Sequence, residues 1–154
     1  MESVNQADHK PKPGSCPEEV TFLEMLRTTE ALTHHFGQVM KNEELTSAQY
    51  NVLRILRGAP EGLPCGEIGN RMVTRDSDIT RLLDRLEKRA LISRCRESKD
   101  RRTVSTRITQ KGLELLAQLD EPIRSAHRKL LGHLGIERLN VLADLLRLAR
   151  QPAG

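Results

Sequence analysis

Apolar side chains recur every three or four residues through most of this chain, give way once to a short alternating stretch, and then resume. Phe22, Met25, Leu32, Phe36 and Val39 fall at such intervals in "EEVTFLEMLRTTEALTHHFGQVMK". That spacing predicts an amphipathic helix over residues 18–41. "LTSAQYNVLRILRG" opens with Thr46 and Gln49 three residues apart, the pairing in which each side chain bonds the other's backbone N–H at a helix start. Leu53 and Leu56 give this second helix its apolar face, and Gly58 and Pro60 close it. "LPCGEIGNRM" has room for about two turns. Cys65, Ile68 and Met72 lie on one side of it, with Pro64 at a first helical position, where a missing N–H costs nothing. "SDITRLLDRLEKRA" is the most strongly periodic segment, with Ile79, Leu82, Leu83, Leu86 and Ala90 in one stripe. Asp76 is the expected N-cap, with Thr74 as the alternative.

The period then changes. "LISRCR" and "TVSTRI" are short and β-branched, with Val104, Thr106 and Ile108 at alternate positions, and polar "ESKDR" lies between them. This reads as a two-stranded β-hairpin following two short helices, which makes the module a winged helix-turn-helix. Helical spacing returns with Leu116, Leu119, Ile123 and Leu130, starting near Thr109. After Gly135 it continues with Leu139, Leu142, Leu145 and Leu146, ending near Gln151. "MESVNQADHKPKPGSCP" is polar, holds three prolines and reads as a loose arm. The expected organisation is an arm over 1–17, a first flanking helix over 18–45, a winged helix-turn-helix lobe over 46–108 and closing helices over 109–151. The fold class is mainly α with a small β-hairpin wing. The leucine stripes of the flanking helices exceed what one small lobe needs for cover, so both are expected to serve dimerisation.

Charge sharpens this picture. The whole chain of 154 residues carries a formal +4, but from Arg71 to Arg107 there are 12 Lys/Arg and 6 Asp/Glu, a net +6. The other residues hold 13 basic and 15 acidic side chains, a net −2. A positive field confined to one block of the chain concentrates polyanions there.

Other chemistries find little support. Cys16, Cys65 and Cys95 are widely separated, odd in number and in no zinc-like spacing, and read as reduced thiols. No N-terminal apolar run resembles a signal peptide and no segment approaches a membrane span, so a cytoplasmic protein is expected. His34 and His35 are adjacent and point about 100° apart on a helix, which suits no shared ion. No nucleophile elbow, phosphate loop or metal signature is present, and neither catalysis nor a cofactor is expected.

Three stretches, "LTSAQYNVLRIL", "DITRLLDRLEKRALISR" and above all "DRRTVSTRITQKG", resemble the MarR family of bacterial winged-helix transcriptional regulators, and the resemblance extends over roughly residues 18–150. It implies a homodimer in which N- and C-terminal helices interlock and two winged helices grip DNA. Small phenolic or other ligands, or cysteine oxidation, often release such dimers. Cys16 lies in the general region where oxidation-sensing members keep a reactive thiol, but without the tyrosines that such sensors use. One position departs from the pattern. The family has glycine at the end of the recognition helix, where the backbone turns left-handed, and this chain has Ala90.

In a recognition helix the face opposite the leucines enters the major groove, N-terminal end closest to the bases. Ser77, Asp78, Thr80 and Arg81 are the expected base or near-base contacts, since Arg takes guanine through paired hydrogen bonds and Asp accepts from a cytosine amino group. Arg85, Lys99 and Arg101, with Arg94 and Arg96, are expected on phosphates. The resemblance assigns Asp100 and Arg102 to the wing tip, the carboxylate aiming the guanidinium into a minor groove. The function expected is that of a DNA-binding transcriptional regulator, a homodimeric repressor of a pseudo-palindromic operator released by a small molecule or an oxidative signal. The competing reading is a winged helix that has lost DNA binding and uses its basic face for an acidic protein.

Overall fold

The computed structural model describes residues 14, 16–41, 43–74, 78–96 (Arg96 by its backbone alone) and 104–151. The elements in order are α1 (Pro17–Lys41), α2 (Ser47–Arg57), β1 (Leu63–Pro64), α3 (Cys65–Arg71), α4 (Ile79–Lys88), β2 (Ile92–Arg96), β3 (Val104–Ile108), α5 (Gln110–Leu131) and α6 (Gly135–Ala149). A single 3-10 turn, Gly132–Leu134, joins the last two. The chain divides into two compact units, Met1–His34 and His35–Gly154. The first holds the opening turns of α1, where Phe22, Leu23 and Leu26 are exposed and Arg27 pairs with Glu24.

The second unit contains the core. Val52, Leu53 and Leu56 of α2, Ile68 of α3, Leu83 and Leu86 of α4, and Leu116 of α5 are almost fully buried in one cluster. The expected capping box at Thr46 forms in both directions: the Thr46 hydroxyl accepts from the Gln49 N–H at 3.1 Å, and the Thr46 N–H donates to Gln49 Oε1 at 3.0 Å. Arg57 donates to both carboxylate oxygens of Asp120, at 3.0 and 2.9 Å, and ties α2 to α5.

The sheet has three strands in the order β1-β3-β2, all antiparallel, where the sequence suggested two. The additional strand is only Leu63–Pro64, paired with Thr106 and Ser105. Pro64 therefore lies in that strand and precedes α3, which starts at Cys65. Two residues, one of them proline, have no period to read. Gly62 makes the pairing possible: it sits at φ +87°, and a Cβ there would fall 2.4 Å from Ser105 Oγ.

Two further differences concern α4. The helix is capped by Asp78, whose carboxylate accepts from the Arg81 N–H at 3.1 Å, two residues later than the expected Asp76. Its far end keeps the left-handed residue despite the alanine, with Ala90 at φ +57°. The Ala90 N–H reaches Glu87 O at 2.8 Å and the Leu91 N–H reaches Leu86 O at 3.0 Å, the two bonds of a Schellman closure. Because Cβ crowds the backbone in this conformation, Ala90→Gly is expected to stabilise the fold by about 1 kcal/mol, net of glycine's greater freedom when unfolded. A rise in the urea midpoint at unchanged slope would show it, and a fall would mean the turn prefers alanine.

The "TQKG" stretch closes this corner. The Thr109 hydroxyl caps α5 by accepting from the Gly112 N–H at 3.1 Å, and it donates to Ala90 O at 2.7 Å. Lys111 Nζ donates to Arg89 O at 3.0 Å, and the Thr109 N–H to Leu91 O at 3.1 Å. Arg89 in turn donates to the carbonyls of Glu43 and Glu44. The carbonyl of Arg89, the C-cap of α4, is a helix-end orphan that α5 satisfies, and the others are turn carbonyls paired across the corner.

Candidate nucleic-acid interface

The amphipathic pattern of α4 fixes which side faces out. Leu82, Leu83 and Leu86 are buried, so Thr80, Arg81, Arg85 and Lys88 are exposed. Leucine packing anchors one face while the other presents its cations to solvent. Ahead of the helix the turn is held from α2, where Asn51 Oδ1 accepts from the Val73 N–H at 2.9 Å.

Asp78 is at the N-terminus of α4, where its carboxylate is occupied with capping. Arg81 projects with 72% of its side chain exposed, and its Nε lies 3.8 Å from Asp78 Oδ2, too long for a hydrogen bond. The side chains of Arg85 and Lys88 form no hydrogen bond or ion pair with any described residue. All three cations are available to an anion. Ser77 lies outside the described residues, as do Lys99, Asp100, Arg101 and Arg102 of the wing tip; Arg96 is placed by its backbone, opposite Val104.

Arg94 is placed differently from its expected neighbours. Its strand position, opposite Thr106, points it at α4. There it donates to Asp84 Oδ1 through Nη2 and to Glu87 Oε2 through Nε at 3.0 Å, and only 22% of its side chain is exposed. Hydrogen bonding to Asp84 raises its pKa above the ordinary arginine value, with burial opposing and the charges of Glu87 and Asp84 assisting. Lys88 lies four residues from Asp84, yet the partner of Asp84 is Arg94, a bond from wing to helix. Charge counting could not reveal this, because the partner comes from strand packing and not from helical spacing.

Among the described residues no group of His, Cys, Asp and Glu could hold a metal ion. Cys16 and Cys95 are exposed, Cys65 is half-buried, and all are free thiols. No described helix is long and apolar enough to cross a membrane.

Comparisons with known proteins agree with this geometry. The model of the MarR family matches residues 45–104. The chain is 28% identical over 123 residues to the HTH-type transcriptional regulator FarR of Neisseria gonorrhoeae, covering 79% of this chain and 83% of FarR. It is 37% identical to a MarR transcription factor from Planctomyces limnophilus, whose crystal structure superposes with a TM-score of 0.67 over 87% of this chain and 97% of that one. A mutant of Escherichia coli MarR, complexed with operator DNA, shares the fold at a TM-score of 0.77 with 20% identity, covering 87% of this chain and 96% of that one. With a recognition helix anchored by leucines, a three-stranded wing and a 37% identical relative matched almost end to end, the chain belongs to the MarR family of DNA-binding transcriptional regulators.

Proposed function

We propose that the protein is a homodimeric repressor that binds a pseudo-palindromic operator and leaves it when a small molecule or an oxidant acts on it. The observation that carries the DNA reading is the exposed face of α4, where Arg85 and Lys88 stand clear of carboxylates and Arg81 projects into solvent beside Asp78. Thr80 and Arg81, with Asp78 and Ser77 at the helix start, are the base-edge candidates, and Arg85 is a phosphate contact. Lys99, Arg101 and Arg96 add phosphate contacts from the wing, and Asp100 orients Arg102 towards the minor groove. Such a role places the protein with the chromosome, in the cytoplasm of the family's bacterial hosts.

Dimerisation is supported by α6, in which no residue is buried and Ile136, Val141, Leu142, Leu145, Leu146 and Leu148 are all exposed. A run of six exposed aliphatic side chains on one helix is a surface awaiting cover. A second copy covers it most simply, and the two recognition helices then meet successive major grooves about 10 bp apart.

The test is an anisotropy titration against DNA from the protein's own upstream region, at two salt concentrations, with wild type and Arg102→Ala. Tight, salt-sensitive and selective binding is expected of the wild type, with affinity falling steeply as salt rises because each phosphate contact releases counterions. Arg102→Ala is expected to weaken it by about tenfold or more. Equal and weak binding of any DNA by both proteins would instead favour a protein-binding winged helix.

A further inference from the structure

We infer that Arg94 supports DNA binding as a counter-charge for the recognition helix, neutralising Asp84 and Glu87 so that they do not repel the phosphate backbone, and not as a phosphate contact. This rests on the DNA-binding reading and adds to it a residue that acts through two others.

The charges of α4 set the problem. Arg81, Arg85 and Lys88 oppose Asp84 and Glu87, a formal +1 on the helix that must approach a polyanion. Asp84 is three residues from Arg81, beside one of the cations meant for DNA. Left bare, its carboxylate would sit against phosphates in a zone emptied of water, where like charges repel far more strongly than in bulk solvent.

The ordinary remedy is a cation from the same helix one turn away, and Lys88 is four residues from Asp84. Yet Lys88 forms no ion pair with a described residue, and the counter-charge comes from β2. The strand arginine reaches both carboxylates at once, Asp84 through Nη2 and Glu87 at 2.9–3.0 Å. The helix cations are thereby left for DNA. Exposure supports the same assignment. The side chains of Asp84 and Glu87 are 48% and 43% exposed, against 22% for Arg94, so an approaching phosphate meets the carboxylates before the guanidinium that holds them. A positioning and masking role suits that depth, and a direct contact does not.

Four proteins test this on the same upstream duplex: wild type, Arg94→Ala, Asp84→Asn with Glu87→Gln, and all three substitutions together, each first shown by thermal melting to be folded. Arg94→Ala is expected to lose about tenfold or more in affinity, because it exposes two carboxylates to the backbone. The triple variant is expected to return to within about threefold of wild type, a coupling that independent sites would not show. If the triple variant binds as weakly as Arg94→Ala, the arginine is a simple tie or a phosphate contact and the inference is overturned. Binding by Arg94→Ala equal to wild type would overturn it too. Should Arg94→Ala not fold, Arg94→Lys, which keeps the charge and loses the two-pronged geometry, is expected to keep most of the affinity, and a loss of about tenfold or more would count against masking. A wild-type protein that selects no DNA overturns the regulator reading itself, before any variant is compared.

Discussion

Gly112→Ala is expected to cost the fold about 3 kcal/mol or more, even though alanine is the better helix former by about 1 kcal/mol. The added Cβ would lie 2.4 Å from the Leu91 carbonyl oxygen and 2.7 Å from Ile108 Cγ1. A backbone oxygen cannot rotate aside as a side chain can, so α5 itself must shift. That shift stretches the bonds from Thr109 to Ala90 O and Leu91 O, each worth about 1 kcal/mol. Sterics therefore outweigh propensity at this first-turn position. Urea denaturation with a midpoint near wild type would show instead that the corner yields.

Leu86→Ala is expected to destabilise by about 3–4 kcal/mol, within the range for emptying a well-packed leucine site. Leu86 is fully buried in the core cluster, and its carbonyl receives the Leu91 N–H in the closure of α4. The loss combines lost burial with a cavity under the recognition helix. Against a typical total stability of about 5–15 kcal/mol, it removes a large share. The measurement is again the denaturant midpoint. A loss below about 1 kcal/mol would mean that neighbouring leucines close over the gap.

The features legible in the sequence were those in which one local pattern decides the outcome. Thr46 and Gln49 announce the start of α2 because both partners of the capping box are three residues apart, and the structure forms both bonds. The stripe of Leu82, Leu83 and Leu86 gives the buried side of α4 for the same reason. The start of α4 was harder. "TRDSD" offers several side chains able to cap, and only the register in which Ile79 begins the stripe selects Asp78 over Asp76. β1 was not visible, because its existence depends on Gly62 allowing a close approach to Ser105 more than forty residues away. That same contact explains why β3 buries Ser105 and Thr106 in succession instead of alternating. At Ala90 the sequence shows the conflict with a left-handed helix end, and the structure shows which side prevails. Four bonds and the burial of Leu91 hold the geometry, and the alanine bears the strain. Of the candidate binding residues, Arg81 and Arg85 lie on the outer face of α4 as the sequence pattern implies, while the engagement of Arg94 required the packing of β2 across that helix.

The corner where "TQKG" fastens α5 to the end of α4 has a mechanical consequence. Thr109 and Lys111 bond three successive carbonyls, those of Arg89, Ala90 and Leu91, and Gly112 brings the helix axis against them without a spacer. The corner has little slack. With 22 residues, α5 runs about 33 Å, and its first half is held in the same core as α4 by Leu116, Leu119 and Ile123 and by the bond from Arg57 to Asp120. The end of α4 and the first half of α5 therefore form one braced block, so a change in the direction of α5 at this corner carries the exposed face of α4 with it.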